Sequence, residues 1–210
     1  MNANEDAVRK KIFYKAYNLL MEKGYSELEL SDVAKSISMK NKYFHELYKD
    51  KQSLIKAMLD MNLQPMRMVA KQSMLQNEIA SITLHKYALE VLKFVNSKKA
   101  ISISRLSCSL NDEERAFGKL VNQHCRASML EYIMPVVQNA IVAGWLAHVK
   151  ADYADDLEAS AYDIVQFFLN SLLGDVQMRL ASGALEKMAT EEIHTKSQHS
   201  VELVYVIYGA

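Results

Sequence analysis

The residues with most to offer chemically lie between Lys35 and Lys56. Six lysines, at 35, 40, 42, 49, 51 and 56, stand there against Glu46 and Asp50, a local charge of +4 in a chain whose 25 Lys+Arg and 25 Asp+Glu cancel. Asn41, Tyr43 and His45 are interleaved with them. Ammonium groups attract phosphates and supply most non-specific affinity for nucleic acid, and an asparagine amide can pair bidentately with adenine. The same lysines would suit an ordinary solvated surface, so charge alone leaves both readings open. Catalytic chemistry has less footing. There is no glycine-rich phosphate loop, nucleophile elbow or paired metal-ligand motif. Asp152, Asp155 and Asp156 cluster ahead of a helix, where carboxylates stabilise its positive end. Cys108 and Cys125 sit in no metal-type pair and read as structural thiols, and His124 and His148 are isolated. These features point away from an enzyme and ask for no cofactor or metal.

The elements around the lysines are short and helical. Val8, Ile12, Ala16, Leu19 and Leu20 recur at three- and four-residue steps, the apolar face of a first helix. Gly24 stops it, and Ser26 with Glu29 has the spacing of a capping box for the next helix start. A helix over 30–37 would bury Leu30, Val33, Ala34 and Ile37. After the tight connection Ser38-Met39 comes a second short helix over 41–47, then a longer one over 51–71 that Pro65 should bend or break. Two short helices joined by a few residues, between longer ones, describe either a helix-turn-helix module or a plain helical hairpin.

Length and composition frame the rest. The chain has 210 residues, half of them hydrophobic, with only 2 prolines and 6 glycines, so one large or two small domains built mainly of long helices are expected. Further helices are expected over 81–96, 100–110, 113–144, 154–182 and 186–208, with a kink at Pro135. That makes about nine helices in an all-α fold. Residues 201–208 are β-branched and aromatic, but a lone strand would have no partner, so helix is the expectation. No apolar run reaches membrane-span length and no signal-type stretch opens the chain; a cytoplasmic, reduced protein is expected.

The ordered set Gly24-Tyr25, Leu30-Ser31-Asp32-Val33-Ala34, Tyr43-Phe44, Tyr48-Lys49-Asp50-Lys51 and Leu54-Ile55 resembles the N-terminal domain of TetR-type transcriptional regulators, without a gap from Gly24 to Ile55. The resemblance implies a three-helix helix-turn-helix DNA-binding domain over residues 1–50 and a helical ligand-binding and dimerisation domain over 51–210. It implies that Lys40, Asn41, Lys42, Tyr43 and His45 face DNA, and that Lys51, at a helix N-terminus, meets a phosphate. Phe44 and Tyr48 are expected to pack inward. The chain departs from the family pattern at Ser38, where a glycine is usual, and at Lys40, where a Ser/Thr cap is usual. Leu28 and Glu29 stand where hydroxyl residues are common, and Glu46 puts a carboxylate beside DNA unless it pairs with Lys42.

Beyond residue 60 only the architecture and the segment Ala143-Gly144-Trp145-Leu146 are similar to the family. Twelve methionines, Met58, Met129 and Met134 among them, suit either core filling or a pliable pocket. Tyr87, Phe94, Met129, Tyr132, Phe167 and Phe168 are the expected pocket walls, with Trp145 nearby in the pool and His124 or His148 as polar contacts. The helices over 154–182 and 186–208, with small residues Ser171 and Gly174, are expected to form a two-fold dimer interface. The implied function is a ligand-responsive regulator, a repressor released from a palindromic operator by a small apolar molecule. The alternative is a TetR-like interaction or sensor protein that has lost operator binding and works through a protein partner.

Overall fold

The computed structural model describes residues 3–108, 112–147 and 156–210. His148, Asp152 and Asp155 lie outside the described residues. The fold is all-α. In chain order the helices are α1 Ala3–Lys23, α2 Leu30–Ser36, α3 Asn41–Leu47, α4 Lys51–Gln76, α5 Ala80–Val95, α6 Lys98–Ser107, α7 Asp112–Val142, α8 Leu157–Leu173, α9 Val176–Ser182 and α10 Thr190–Tyr208. No described helix is long and apolar enough to cross a membrane.

The chain divides into two compact units, one of Met1–Met61 with Ser102–His124 and one of Asn62–Ile101 with Cys125–Ala210. In the first, α2 packs on α1 and α3. Ile12, Phe13, Ala16 and Leu20 of α1 are buried with Leu30, Val33 and Ala34 of α2, Phe44 of α3, and Leu54, Ile55, Met58 and Leu59 of α4. Val8 does not join this face and is 40% exposed, while Phe13, off the expected stripe, is buried. Gly24 ends α1 at φ 83, its N–H donating to the Leu20 carbonyl at 3.0 Å.

In the second unit α10 packs on α5 and α8. The core is made by Leu84, Tyr87, Ala88, Val91 and Leu92 of α5 with Ile164, Val165, Phe168, Leu169 and Leu172 of α8, closed by Val204 of α10. Asn96, buried past the end of α5, accepts from the Met188 N–H at 2.7 Å and donates to the Met188 carbonyl at 3.1 Å. A bridge from Leu146 to Gly209 ties the end of α10 to the turn after α7.

Two local expectations are corrected, and of the bend or break expected at Pro65 the break does not occur. Neither proline ends its helix: α4 continues through Pro65 to Gln76 and α7 through Pro135 to Val142, since one missing hydrogen bond is outweighed by long packed faces on both sides. The helix expected over 154–182 is two, because Gly174 turns the chain at φ 45, a conformation other residues adopt only with strain. Ser26 and Glu29 form no capping box; Glu29 is itself the cap of α2 and makes no side-chain bond there. Residues 201–208 are helical, as expected.

Candidate nucleic-acid interface

The second helix of the helix-turn-helix is held by its inner face. Phe44 is fully buried and Tyr48 nearly so, their rings 5.3 Å apart, with Phe13 of α1 edge-on to Tyr48. Both expectations for these aromatics are met: at helical spacing they make the core on which α3 sits. Burial also pushes the Tyr48 phenol above its ordinary range. The turn before α3 is closed by the Met39 N–H on the Ala34 carbonyl at 2.9 Å and by the Ser38 N–H on the Lys35 carbonyl at 3.0 Å. Ser38 takes φ 59, the left-handed region where glycine is at ease and serine is not.

Everything else on α3 faces outward. Asn41, Lys42, Tyr43, His45, Glu46 and Leu47 are exposed, as is Lys40 at the cap position, which makes no side-chain bond to the helix. Tyr43 and Leu47, one turn apart, each show 56% of their surface, an apolar strip whose leucine half the sequence pattern does not single out. No ion pair joins Lys42 to Glu46 among the described residues, so the carboxylate stands beside the lysines unneutralised. Leu28 is buried and unavailable to a phosphate.

The start of α4 is built from three residues. Asp50 Oδ1 accepts from the Ser53 N–H at 2.7 Å, and the Ser53 hydroxyl donates to the Asp50 carbonyl at 2.7 Å while accepting from the Asp50 N–H at 3.2 Å. This is a reciprocal cap, and the bond from the Ser53 N–H holds the Asp50 carboxyl below its usual range. Lys51, next in line, turns its ammonium inward. It donates to the Tyr25 carbonyl at 2.9 Å and the Ser26 carbonyl at 3.2 Å, and lies 4.6 Å from the centre of the Tyr25 ring. That ring stacks on Phe117 of α7 with centroids 5.0 Å apart. A further tie, Lys23 Nζ to Asp32 at 2.6 Å, links the end of α1 to α2, and Lys23 holds the Asp32 carboxyl below its usual range.

Of the six expected pocket residues, Tyr87 has both Met129 and Tyr132 as near neighbours. Tyr87 is buried and its hydroxyl donates to the Met129 carbonyl at 2.6 Å, so these two meet, but as a core tie between α5 and α7. Phe168 is fully buried in α8, and Phe94 is half-buried. Phe167 lies edge-on to Tyr208 at 5.5 Å, and Arg67 sits over Tyr132 at 5.9 Å. A cleft of about 330 Å³ is lined by Met134, Asp156, Glu158, Ala159, Tyr162 and Asp163, none of them among the six. His124 belongs to the first unit, where it faces Asp60 at 2.7 Å. Trp145 is 44% exposed.

No family sequence model matches the chain, and no curated protein matches it in sequence. Solved structures do. A protein of Mesorhizobium loti MAFF303099 assigned to the TetR family of transcriptional regulators superposes with a TM-score of 0.70 at 15% identity, covering 100% of both chains. A TetR transcriptional regulator of Agrobacterium tumefaciens gives 0.67 at 16% identity over 96% of this chain and 95% of its own. FadR of Thermus thermophilus, a TetR-family transcriptional repressor in complex with lauroyl-CoA, gives 0.57 at 14% identity over 95% and 94%.

The chain has the fold of the TetR-family transcriptional regulators.

In that TetR fold, the residues that spacing missed are the ones that brace the helix-turn-helix. Asp50 with Ser53 carries a readable signal, an acidic residue and a hydroxyl three apart at a helix start. Lys23 with Asp32, and Tyr25 with Phe117, carry none. They are separated by nine and 92 positions, and only the packing of the TetR-like bundle brings them together.

Proposed function

We propose that this protein is a ligand-responsive, DNA-binding transcriptional regulator, a repressor that leaves a palindromic operator when a small apolar molecule binds. The observation that carries this is the two-sided character of α3. Its inner residues Phe44 and Tyr48 are locked into the core, while Asn41, Lys42, Tyr43 and His45 stand free on the outside, within a TetR fold. A helix so mounted fits a major groove, with Lys40 and Lys42 supplying phosphate attraction and Asn41 and Tyr43 reaching base edges.

Residues 1–50 form the DNA-binding part on this reading, and 51–210 the ligand-binding and dimerisation body. Two copies pair through residues 154–182 and 186–208. Tyr162, Val206 and Ile207 are exposed there, and an isolated subunit gains by covering them. The fold shared with a lauroyl-CoA complex supports an effector with an apolar body, drawn toward Tyr87, Phe94, Met129, Tyr132, Phe167 and Phe168. Effector binding needs differential affinity for the two dimer geometries. The protein acts in the cytoplasm and not as an enzyme; its partners are duplex DNA, the effector and its own second copy.

The test is a gel-shift titration on the DNA flanking the protein's own gene, at two salt concentrations and with competitor duplex. Salt-sensitive, sequence-selective retardation by a dimer is expected; retardation no better than that of competitor would defeat the proposal. A second reading, a TetR-like sensor acting through a protein partner, is favoured by the unneutralised Glu46 and the unmade cap at Lys40. It wins if selective binding emerges only in the Glu46→His, Lys40→Ser double variant.

A further inference from the structure

Two observations at the start of α4 conflict with a phosphate held there. The first is the Lys51 ammonium, which already has two carbonyl acceptors, at 2.9 and 3.2 Å, and an aromatic ring at 4.6 Å. Reaching a phosphate means giving up two charge-assisted hydrogen bonds and a cation–π contact together. The second is Asp50. Its carboxylate accepts from the Ser53 N–H at 2.7 Å, so the anion site at this helix end is filled by the protein itself. A phosphate arriving there meets a like charge. Lys42 and Lys49, by contrast, are exposed and make no hydrogen bond or ion pair among the described residues.

We propose that Lys51 is an internal latch that positions the recognition helix, and that the phosphate-facing charge comes from Lys42 and Lys49 instead. The latch closes the turn between α1 and α2. Tyr25 and Ser26, whose carbonyls it holds, lead through buried Leu28 into α2, and α2 packs directly on α3. Tyr25 is the pivot: buried itself, it stacks on the fully buried Phe117 at 5.0 Å, with planes inclined by 26°. Phe117 thus fixes the ring on which the ammonium rests. Lys51, Tyr25 and Phe117 are positioning residues, acting on DNA through the placement of α2 and α3. The inference rests on the DNA-binding reading for its consequence but not for its geometry.

The tests separate the two. In the free wild-type protein, limited acetylation with an N-hydroxysuccinimide ester, read by mass spectrometry, is expected to modify Lys51 at least about tenfold more slowly than Lys42 or Lys49, because its hydrogen bonds must open first. Equal rates overturn the latch, whether or not the protein binds DNA. On DNA, Lys51→Met is expected to weaken binding while leaving the slope of log K against log salt unchanged, and Lys42→Met to reduce that slope by about 0.9. A slope that falls by the same amount in Lys51→Met shows a phosphate contact and overturns the proposal. Rescue separates positioning from mere damage: Lys51→Arg, which can still donate to both carbonyls, should recover affinity with the wild-type slope. Absence of selective binding by the wild type would defeat the regulator reading, while the acetylation rates would still decide the latch.

Discussion

Ser38 is where a single side chain works against its own backbone. At φ 59 its Cβ crowds the neighbouring carbonyl, a cost glycine avoids. Ser38→Gly is therefore expected to stabilise the protein by about 1 kcal/mol, read as a higher urea midpoint; an unchanged or lower midpoint would show the strain to be absent. Asn41 belongs to the same scale. If its amide pairs with adenine, Asn41→Ala should relax selectivity at one operator position by about 1–3 kcal/mol and leave the other positions alone, measured by competition with single-site operator variants. Ser38 was legible in the sequence as a turn residue between two short helices, and Asn41 as an amide that the family resemblance, not spacing, turns toward DNA. Lys51 was legible only as a lysine at a helix start. Its acceptors lie 25 and 26 positions away, and no local pattern distinguishes a carbonyl partner from a phosphate.

At the scale of elements, the helices are joined by a few close fits. Gly118 of α7 lies so near α6 that a Cβ there would stand 2.6 Å from the Ser107 carbonyl oxygen. Helix propensity favours alanine at an interior position, but that contact must give, and backbone is on the other side of it. Gly118→Ala is expected to destabilise by about 1–3 kcal/mol in urea denaturation; stabilisation would mean that propensity wins. Asn96 joins the end of α5 to the segment before α10 by clasping both backbone groups of Met188. Asn96→Ala leaves a buried N–H and carbonyl without that partner and should cost about 2–3 kcal/mol by the same measurement. Helix existence was readable from periodicity, and for the C-terminal segment from the want of a partner for a lone strand. The break at Gly174 was not: past its φ of 45 the separate helix α9 buries Val176 and Leu180, an arrangement that the apolar pattern does not disclose.

For the whole molecule, titration sets the expected stability profile. His85 is held below its ordinary range first by burial and then by the nearby His194. Asp32 is held below its range by the Lys23 hydrogen bond, and Asp50 by the Ser53 N–H. All three bind protons less readily folded than unfolded, so the unfolded chain takes up more protons and stability falls with falling pH. The His85 contribution is complete above the unfolded value of 6.5 and is lost as pH drops through it. The carboxylate contributions are lost in a second step below 3.8. Buried tyrosines act oppositely: Tyr87, pushed up by burial, keeps its proton in the fold, and that contribution is lost as pH rises past 10.0. Urea midpoints between pH 8 and pH 3 should therefore decline in two steps, and His85→Gln should flatten the first alone. A single step near pH 4 would show that His85 is not coupled to folding.

What the order of residues fixed unaided is the all-α character and the inward set of Phe44 and Tyr48, because each depends on spacing within a few turns of one helix; spacing left the two short helices open between a helix-turn-helix and a hairpin. Tertiary structure alone decided which polar groups are used up internally. It placed Lys51 on the Tyr25 turn, set Phe117 against Tyr25, and joined the Tyr87 hydroxyl to the Met129 carbonyl. Those outcomes depend on which distant surfaces meet, and the chain closes its unmade hydrogen bonds with whatever partner the packing brings within reach.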